Sequence, residues 1–286
     1  MSVEITRLRE LDNLELKRAR CAGQRFPLHF HEALSLGVVA AGRERITVGG
    51  ETQVVGPGEV VVLAPGEVHA HAGVGDAAWQ YLAIYVSPDV VARRRRALGV
   101  DGPIAPVIEA PEIYRQLVEA HAAASPARVV AVLDELLVRH RISGRVAARP
   151  RVDVHAAGDY LRAHHAQKIA VGELAARFGL GPYQFVRAFR RAFGLTPTAF
   201  QIVERINRAQ QLLADGATVA RAGLEAGFYD QSHFVRFFRR FTGTTPIDYR
   251  RQSARSYKPV RTGSLSSRHD RTTPVRDGRR PGRMRG

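Results

Sequence analysis

The chain has 286 residues, of which 45% are hydrophobic and 24% are charged, and its formal net charge is +16. This length suffices for two domains of ordinary size, and the composition is typical of a soluble globular protein. One cysteine excludes a disulfide framework and a cysteine-based zinc finger, and the sequence has neither a signal-peptide core nor the roughly 18 apolar residues of a membrane helix, so we expect a cytoplasmic protein without a membrane partner.

The positive charge lies in the second half of the chain. Residues 1–150 contain 18 Lys and Arg against 17 Asp and Glu, whereas residues 151–251 contain 15 against 8 and residues 252–286 contain 10 against 2. A neutral half followed by a basic half indicates that the basic half binds a polyanion.

Residues 26–86 have the pattern of a small β-domain. Short runs rich in Val, Ile, Leu and aromatic residues alternate with turn signals, and Gly49-Gly50 can supply the positive φ angles of a tight hairpin. Many short strands at this spacing predict a barrel or a sandwich, which we assign to residues 1–110. The clearest predicted strands are 34–40, 45–48, 60–63 and 79–86.

Residues 111–141 have a helical period instead. Two segments begin near prolines, at Pro111 and Pro126, and the second carries an apolar stripe at helical spacing. The stripe can pack onto the barrel or form the seam of a homodimer. It can do both if some of its residues stay exposed after packing. Its members are Val129, Val132, Leu133, Leu136 and Leu137.

The rest of the chain divides into three parts. Residues 142–152 combine Gly, Pro and several Arg and are predicted to be a linker. Residues 153–251 have a helical pattern throughout, and residues 252–286 have the composition of a disordered basic tail. The predicted fold class is therefore a multidomain α+β protein, in which a β-barrel with helices precedes an all-α domain.

The helical domain contains an internal repeat. Residues 185–191 (FVRAFRR) and 234–240 (FVRFFRR) are nearly identical, and each is followed at matched positions by Gly, by Thr-Pro and by an aromatic residue. Each copy predicts a helix, a glycine-containing turn and a second helix. The second helices pair aromatic residues at i and i+4, which predicts one buried aromatic face.

The opposite face of each second helix is polar and basic. A helix fits the DNA major groove, where Arg can bond guanine and Gln can bond adenine, while other basic groups hold phosphates. Alternatively, the arginines are simply the solvent-exposed face of a helical bundle. The same pattern in two copies within the basic half of the chain favours DNA binding instead. Residues 198–214 predict one helix about 25 Å long, a strut that can set two reading helices about 34 Å, or one DNA turn, apart.

Residues 155–251 resemble the double helix-turn-helix domain of the AraC/XylS family of bacterial transcription regulators. The best marker is GFYDQSHF at 227–234, followed by FFRR at 237–240 and GTTP at 243–246. The resemblance implies binding to double-stranded DNA, with reading residues early in each second helix. The resemblance and the polar face of each second helix together identify the DNA-binding candidates. They are Tyr183, Gln184, Val186, Arg187 and Arg191 in the first helix and Gln231, Ser232, His233, Arg236 and Arg240 in the second.

Two positions depart from the family pattern. Ala222-Gly223 stands where a larger aliphatic residue followed by Ala is usual, and Gly181 replaces the usual capping Ser of the first reading helix. The departures predict weaker packing at the first place and weaker capping at the second.

The first domain resembles a cupin barrel at two places. Gly23 with His29-Phe30-His31 resembles the first cupin motif, and PGEVH at 65–69 resembles the second. Residues i and i+2 of a strand share a face, so His29 and His31 can point together and His69 can join them; three imidazoles suit Zn, Fe, Ni or Cu. The glutamate that metal-binding cupins carry shortly after the second His is absent, since Ser35-Leu36 stands there. We therefore favour a metal-free sensor pocket without a cofactor.

The aromatic residues of the 79–86 strand bear on the same pocket. Trp79, Tyr81 and Tyr85 alternate onto one face, where they can line an effector cavity or form ordinary barrel core. The candidate effector-binding residues are Arg25, His29, His31, His69, Trp79 and Tyr81. The prediction is a non-enzymatic, ligand-responsive transcription regulator; the alternative is a metal-dependent cupin enzyme fused to a DNA-binding module.

Overall fold

A computed structural model describes residues 1–8, 10–140 and 154–254. The linker predicted at 142–152 lies outside the described residues, as does the predicted tail from residue 255 onward. Residues 252 and 253 belong to the last helix of the second domain.

The described part of the first domain is built from two antiparallel sheets. The strands of the first are β1 (Ser2–Leu8), β2 (Leu14–Cys21), β4 (Leu34–Ala41), β7 (Glu59–Leu63), β9 (Trp79–Val86) and β10 (Val107–Glu109). Those of the second are β3 (Arg25–His29), β5 (Glu44–Val48), β6 (Glu51–Val55) and β8 (His69–Gly73). The strand orders are β1-β2-β9-β4-β7-β10 and β3-β8-β5-β6. These two antiparallel sheets confirm the predicted sheet-rich first domain, and together they are called the barrel.

The hairpin predicted at Gly49-Gly50 joins β5 to β6. Both glycines have positive φ, at 60° and 89°, the conformation that a two-residue hairpin loop requires. A left-handed turn, α1 (Glu10–Asn13), likewise joins β1 to β2. The strands β1 and β2 lie before residue 26 and were not predicted.

Three helices cover the outer face of the first sheet, namely α2 (Pro88–Leu98), α3 (Pro111–Ala122) and α4 (Pro126–Arg139). All five residues of the apolar stripe on α4 are buried in one cluster with strand residues such as Leu36 and Leu82. The stripe therefore packs against the barrel, and none of it is exposed to serve as the seam of a homodimer.

The described part of the second domain is helical. Its elements are α5 (Val154–Ala163), α6 (Val171–Arg177), α7 (Pro182–Phe193), α8 (Pro197–Ala214), α9 (Val219–Glu225), α10 (Gln231–Thr242) and α11 (Pro246–Ser253). The helix α8 has 18 residues, about 27 Å at 1.5 Å per residue, and contributes side chains to both helix-turn-helix cores. Of the helices in the described ranges, none has the length and hydrophobicity to cross a bilayer.

Hydrogen bonds join the two domains. The Tyr249 hydroxyl donates to Glu15 Oε2 at 2.9 Å and accepts from Arg7 Nη2 at 3.0 Å, while Lys17 Nζ donates to the Thr242 carbonyl at 3.2 Å. Three further bonds cross the boundary, from Ile5 N to Gln252 Oε1 at 2.7 Å, from Asn207 Nδ2 to Phe30 O at 3.3 Å and from Gln211 Nε2 to Glu32 Oε2 at 3.0 Å. The mouth of the barrel thus meets the carboxyl end of α10.

Candidate DNA-reading helices and effector cavity

The second reading helix, α10, has a well-formed start. The Asp230 side chain accepts a hydrogen bond of 2.7 Å from the His233 backbone N–H. Phe234 and Phe238 are fully buried, and they anchor the helix so that its opposite face meets solvent. On that face Gln231, Ser232, Arg236 and Arg240 are exposed, whereas the His233 ring is half-buried between Phe228 and Phe237.

The first reading helix, α7, repeats this arrangement with a weaker start. Gly181 occupies the cap position without a side-chain acceptor, and instead its own N–H donates to Gln184 Oε1 at 3.4 Å. Phe185 and Phe189 are fully buried. The candidate residues on the other face are exposed at Tyr183, Gln184, Arg187 and Arg191 and half-buried at Val186.

The arginines of both reading faces form no ion pair with a carboxylate of the described residues. Within residues 1–8, 10–140 and 154–254, Arg187, Arg191, Arg236 and Arg240 take part in no ion pair. Their guanidinium groups are therefore available to bases or phosphates.

Gly223 allows α9 to approach α10 closely. A Cβ at this position would lie 2.8 Å from Cδ1 of the buried Phe234 ring, so the ring packs directly on the α9 backbone. The departure from the family pattern predicted weaker packing here, whereas the structure has a close contact that only glycine accommodates.

A cavity of about 420 Å³ lies between the barrel and the helical domain. His29, His31 and Lys17 line it from the barrel, and Asn207 and Thr242 line it from α8 and α10. The cavity has the size of a small-molecule site and contacts both domains. Sequence reasoning identified its histidines but missed Lys17, Asn207 and Thr242.

The predicted histidines do come together in the barrel. The ring centroid of His69 lies 4.3 Å from that of His29 and 4.9 Å from that of His31. Each Nδ1 lies 2.7–2.8 Å from a backbone carbonyl oxygen. Because a carbonyl can only accept, each Nδ1 carries the proton and each Nε2 of a neutral ring is an acceptor.

Burial keeps these rings neutral. Loss of hydration lowers the pKa of His31 to about 4 and holds the pKa values of His29 and His69 well below the usual range, and the neighbouring imidazoles lower them further. Neutral imidazoles are also metal ligands, yet in the described part of the chain no group of three or more His, Cys, Asp or Glu side chains is arranged to hold a metal ion.

The other effector candidates do not line the cavity between the domains. Trp79 is buried in a core cluster with Cys21 and Phe26, whereas Tyr81 lines a small inner cavity of about 40 Å³ together with His29 and His31. Arg25 is exposed on the outer face of the second sheet. The pairing of β3 with β8 shifts between Phe26 and His29, so one extra residue in β3 leaves Arg25 on the face opposite to His29, although the two are four residues apart.

Lys17 is a buried cation at the mouth of the barrel. Its ammonium group bonds the Thr242 carbonyl and lies 5.6 Å and 5.7 Å from the ring centroids of Phe26 and Tyr81. Burial lowers the pKa of Lys17, and the Glu15 carboxylate partly opposes this effect. Sequence reasoning missed Lys17 because β2 was not predicted.

Known proteins share both halves of this arrangement. A model of the AraC-like ligand binding domain matches residues 13–140, and a model of a helix-turn-helix domain matches residues 174–252. An uncharacterised HTH-type transcriptional regulator of Bacillus subtilis, YbfI, is 26% identical over 245 residues, covering 80% of this chain and 89% of its own. The arabinose operon regulatory protein of Escherichia coli is 28% identical over 123 residues, 42% of each chain.

Solved structures have the same two-domain architecture. ToxT from Vibrio cholerae superposes with a TM-score of 0.56 at 9% identity, covering 84% of this chain and 97% of its own. Another ToxT structure, with a TM-score of 0.56 at 7% identity, is bound to (E)-4-(8-methylnaphthalen-1-yl)but-3-enoic acid. A ligand-binding barrel joined to two helix-turn-helix units defines a class of transcription regulator. The chain belongs to the AraC family of transcription regulators.

Proposed function

We propose that α7 and α10 read two consecutive major grooves on one face of a DNA duplex. The observation that carries the proposal is that α7 and α10, which both pack on the strut α8, each present an exposed face whose arginines form no ion pair with any described residue. Reading residues would be those exposed early in each helix, foremost Arg187 and Arg236.

Selection of bound fragments from random DNA tests this proposal. We expect enrichment of two short motifs whose centres lie about 10–10.5 base pairs apart, since two helices on one face of the duplex meet successive major grooves at that interval. Recovery of sequences no better bound than the starting pool would contradict sequence-specific reading, and a single short motif would contradict a two-groove contact.

We also propose that the effector occupies the cavity between the domains. Among the described residues, Lys17 has one oxygen acceptor, the Thr242 carbonyl. It forms no ion pair with Glu15, whose Oε2 accepts from Arg7 and Tyr249 instead. A carboxylate would compensate the buried ammonium, and a hydroxyl could donate to an imidazole Nε2. The favoured effector is thus a small organic acid that touches both domains.

Matched acids and amides test this assignment. We expect salicylate, benzoate or octanoate to raise the thermal midpoint of the chain, and salicylamide, benzamide and octanamide to have less effect. The Lys17→Met variant should lose the preference for the acid. Equal shifts for acids and amides, or an unchanged preference in the variant, would contradict a carboxylate at Lys17.

We propose no catalytic role and no cofactor, since the relatives named above are regulators and the histidine arrangement does not support the metal-dependent enzyme. A regulator of this class acts where the chromosome is, which favours the cytoplasm. A homodimer would need a surface other than the buried stripe of α4.

A further inference from the structure

A basic groove runs between the second reading helix and the barrel. One stretch of it is lined by Gln24 together with Gln231, Arg236, Arg239 and Arg240 of α10. The next stretch, about 360 Å³ in volume, is lined by Arg240 from α10 and by Arg25 and Arg45 from the barrel. Arg240 lines both stretches, so the stretch on the DNA-reading face and the stretch on the barrel adjoin at its side chain.

The two barrel arginines occupy one row of the second sheet. Arg25 on β3 and Arg45 on β5 both pair with Ala72 of β8, so the three side chains project from the same face. Two strand spacings separate the arginines by about 10 Å. Since alanine is small, no side chain of the middle strand fills the space between them.

The charges of the groove match a polyanion. No Asp or Glu is among the described residues that line either stretch. Within those residues, Arg25, Arg45, Arg236, Arg239 and Arg240 form no ion pair, although other arginines of the chain do. A barrel that simply masked α10 would be expected to place carboxylates against its arginines, and here it places two more arginines.

We propose that the barrel itself binds DNA, with Arg25 and Arg45 holding the phosphate backbone beside the groove that α10 reads. Arg240 connects the two sets of contacts. This inference rests on the proposed function, because the barrel arginines adjoin the duplex only if α10 engages it. It assigns Arg25 to DNA rather than to the effector.

Such contacts would give the sensor domain a direct influence on affinity. The α10 helix and β3 pack against each other, and the effector cavity lies beside the same junction. A ligand that shifted the barrel relative to α10 would move Arg25 and Arg45 against the phosphates. Loss of such contacts weakens binding to all sequences about equally.

The salt dependence of binding tests the proposal. The full chain is titrated with a duplex recovered from random DNA and with a random duplex of equal length. For the Arg25→Gln/Arg45→Gln double variant we expect affinity for both duplexes to fall by a similar factor, roughly tenfold, and the slope of log K against log salt to fall by about 2, or about 0.9 per phosphate contact.

The matched control removes two other positive charges. Arg96 on α2 and Arg115 on α3 are exposed and free of ion pairs in the described part of the chain, so Arg96→Gln/Arg115→Gln changes the net charge equally. We expect it to keep the wild-type slope. Equal changes of slope in the two double variants would show that net charge alone causes the effect, which would overturn the inference. An unchanged slope in Arg25→Gln/Arg45→Gln would also overturn it, while leaving specific DNA binding intact. Failure of the wild-type chain to prefer its recovered duplex would instead overturn the proposed function.

Discussion

Replacing Arg236 with alanine is expected to weaken binding to the recovered duplex by about 1–3 kcal/mol, or roughly 5- to 150-fold. Arg236 lies on the exposed face of α10, five residues after the first helical position, and forms no ion pair in the described chain. Its guanidinium can form two hydrogen bonds with the major-groove edge of guanine, which alanine cannot replace.

Comparison of duplexes separates a base contact from a phosphate contact. If Arg236 reads a base, the variant loses preference at one base pair, and its affinity for random DNA changes less than its affinity for the recovered duplex. The exposed Arg96→Ala on the barrel provides a charge-matched control that should retain wild-type affinity. Equal losses on both duplexes would reassign Arg236 to the phosphate backbone.

Adding a methyl group at Gly223 is expected to destabilise the second helix-turn-helix unit. In an open helix, Gly→Ala stabilises by about 1 kcal/mol, but overpacking of a buried site costs about 1–3 kcal/mol. The new Cβ would lie 2.8 Å from Cδ1 and 3.2 Å from Cγ of Phe234, whose ring is fully buried and cannot swing into solvent. The packing cost should therefore exceed the helical gain, leaving a net loss of up to about 2 kcal/mol.

Gly172 in α6 provides the matched control. The nearest atom to a Cβ at Gly172 is Pro182 Cγ at 4.0 Å, so Gly172→Ala should stabilise the chain by about 0.5–1 kcal/mol. Urea unfolding of both variants, followed by helical circular dichroism, measures the difference. Stabilisation of similar size in both variants would show that Phe234 can yield, and that the contact at Gly223 is not restrictive.

Much of the DNA-binding domain could be predicted because its determinants are local. The i, i+4 spacing of Phe185 with Phe189, and of Phe234 with Phe238, specifies which face of each helix is buried. Asp230 marks the start of α10 for the same local reason. Wherever the buried face follows from helical periodicity, the exposed reading face follows from it as well.

The barrel was predicted as a class but not in its details. In β2, Glu15 and Lys17 point into the barrel, while Leu14 and Leu16 point to the opposite face. Because charged residues occupy buried positions, the segment lacks the hydrophobic pattern by which a buried strand is predicted. Those charges are stabilised by groups from the other domain, namely Thr242 and Tyr249, which are more than 200 residues away in sequence.

The sequence by itself determined the repeated helix-turn-helix units and their buried aromatic faces, because both follow from a periodicity of a few residues. The cupin-like motifs suggested that His69 could join His29 and His31, but the pairing of β3 with β8 brings these rings together. Only the tertiary structure decided that Arg25 faces outward, since one extra residue in β3 reverses the alternation. It also decided that Lys17 meets the end of α10, because a contact between domains depends on how two completed surfaces pack and not on any local pattern.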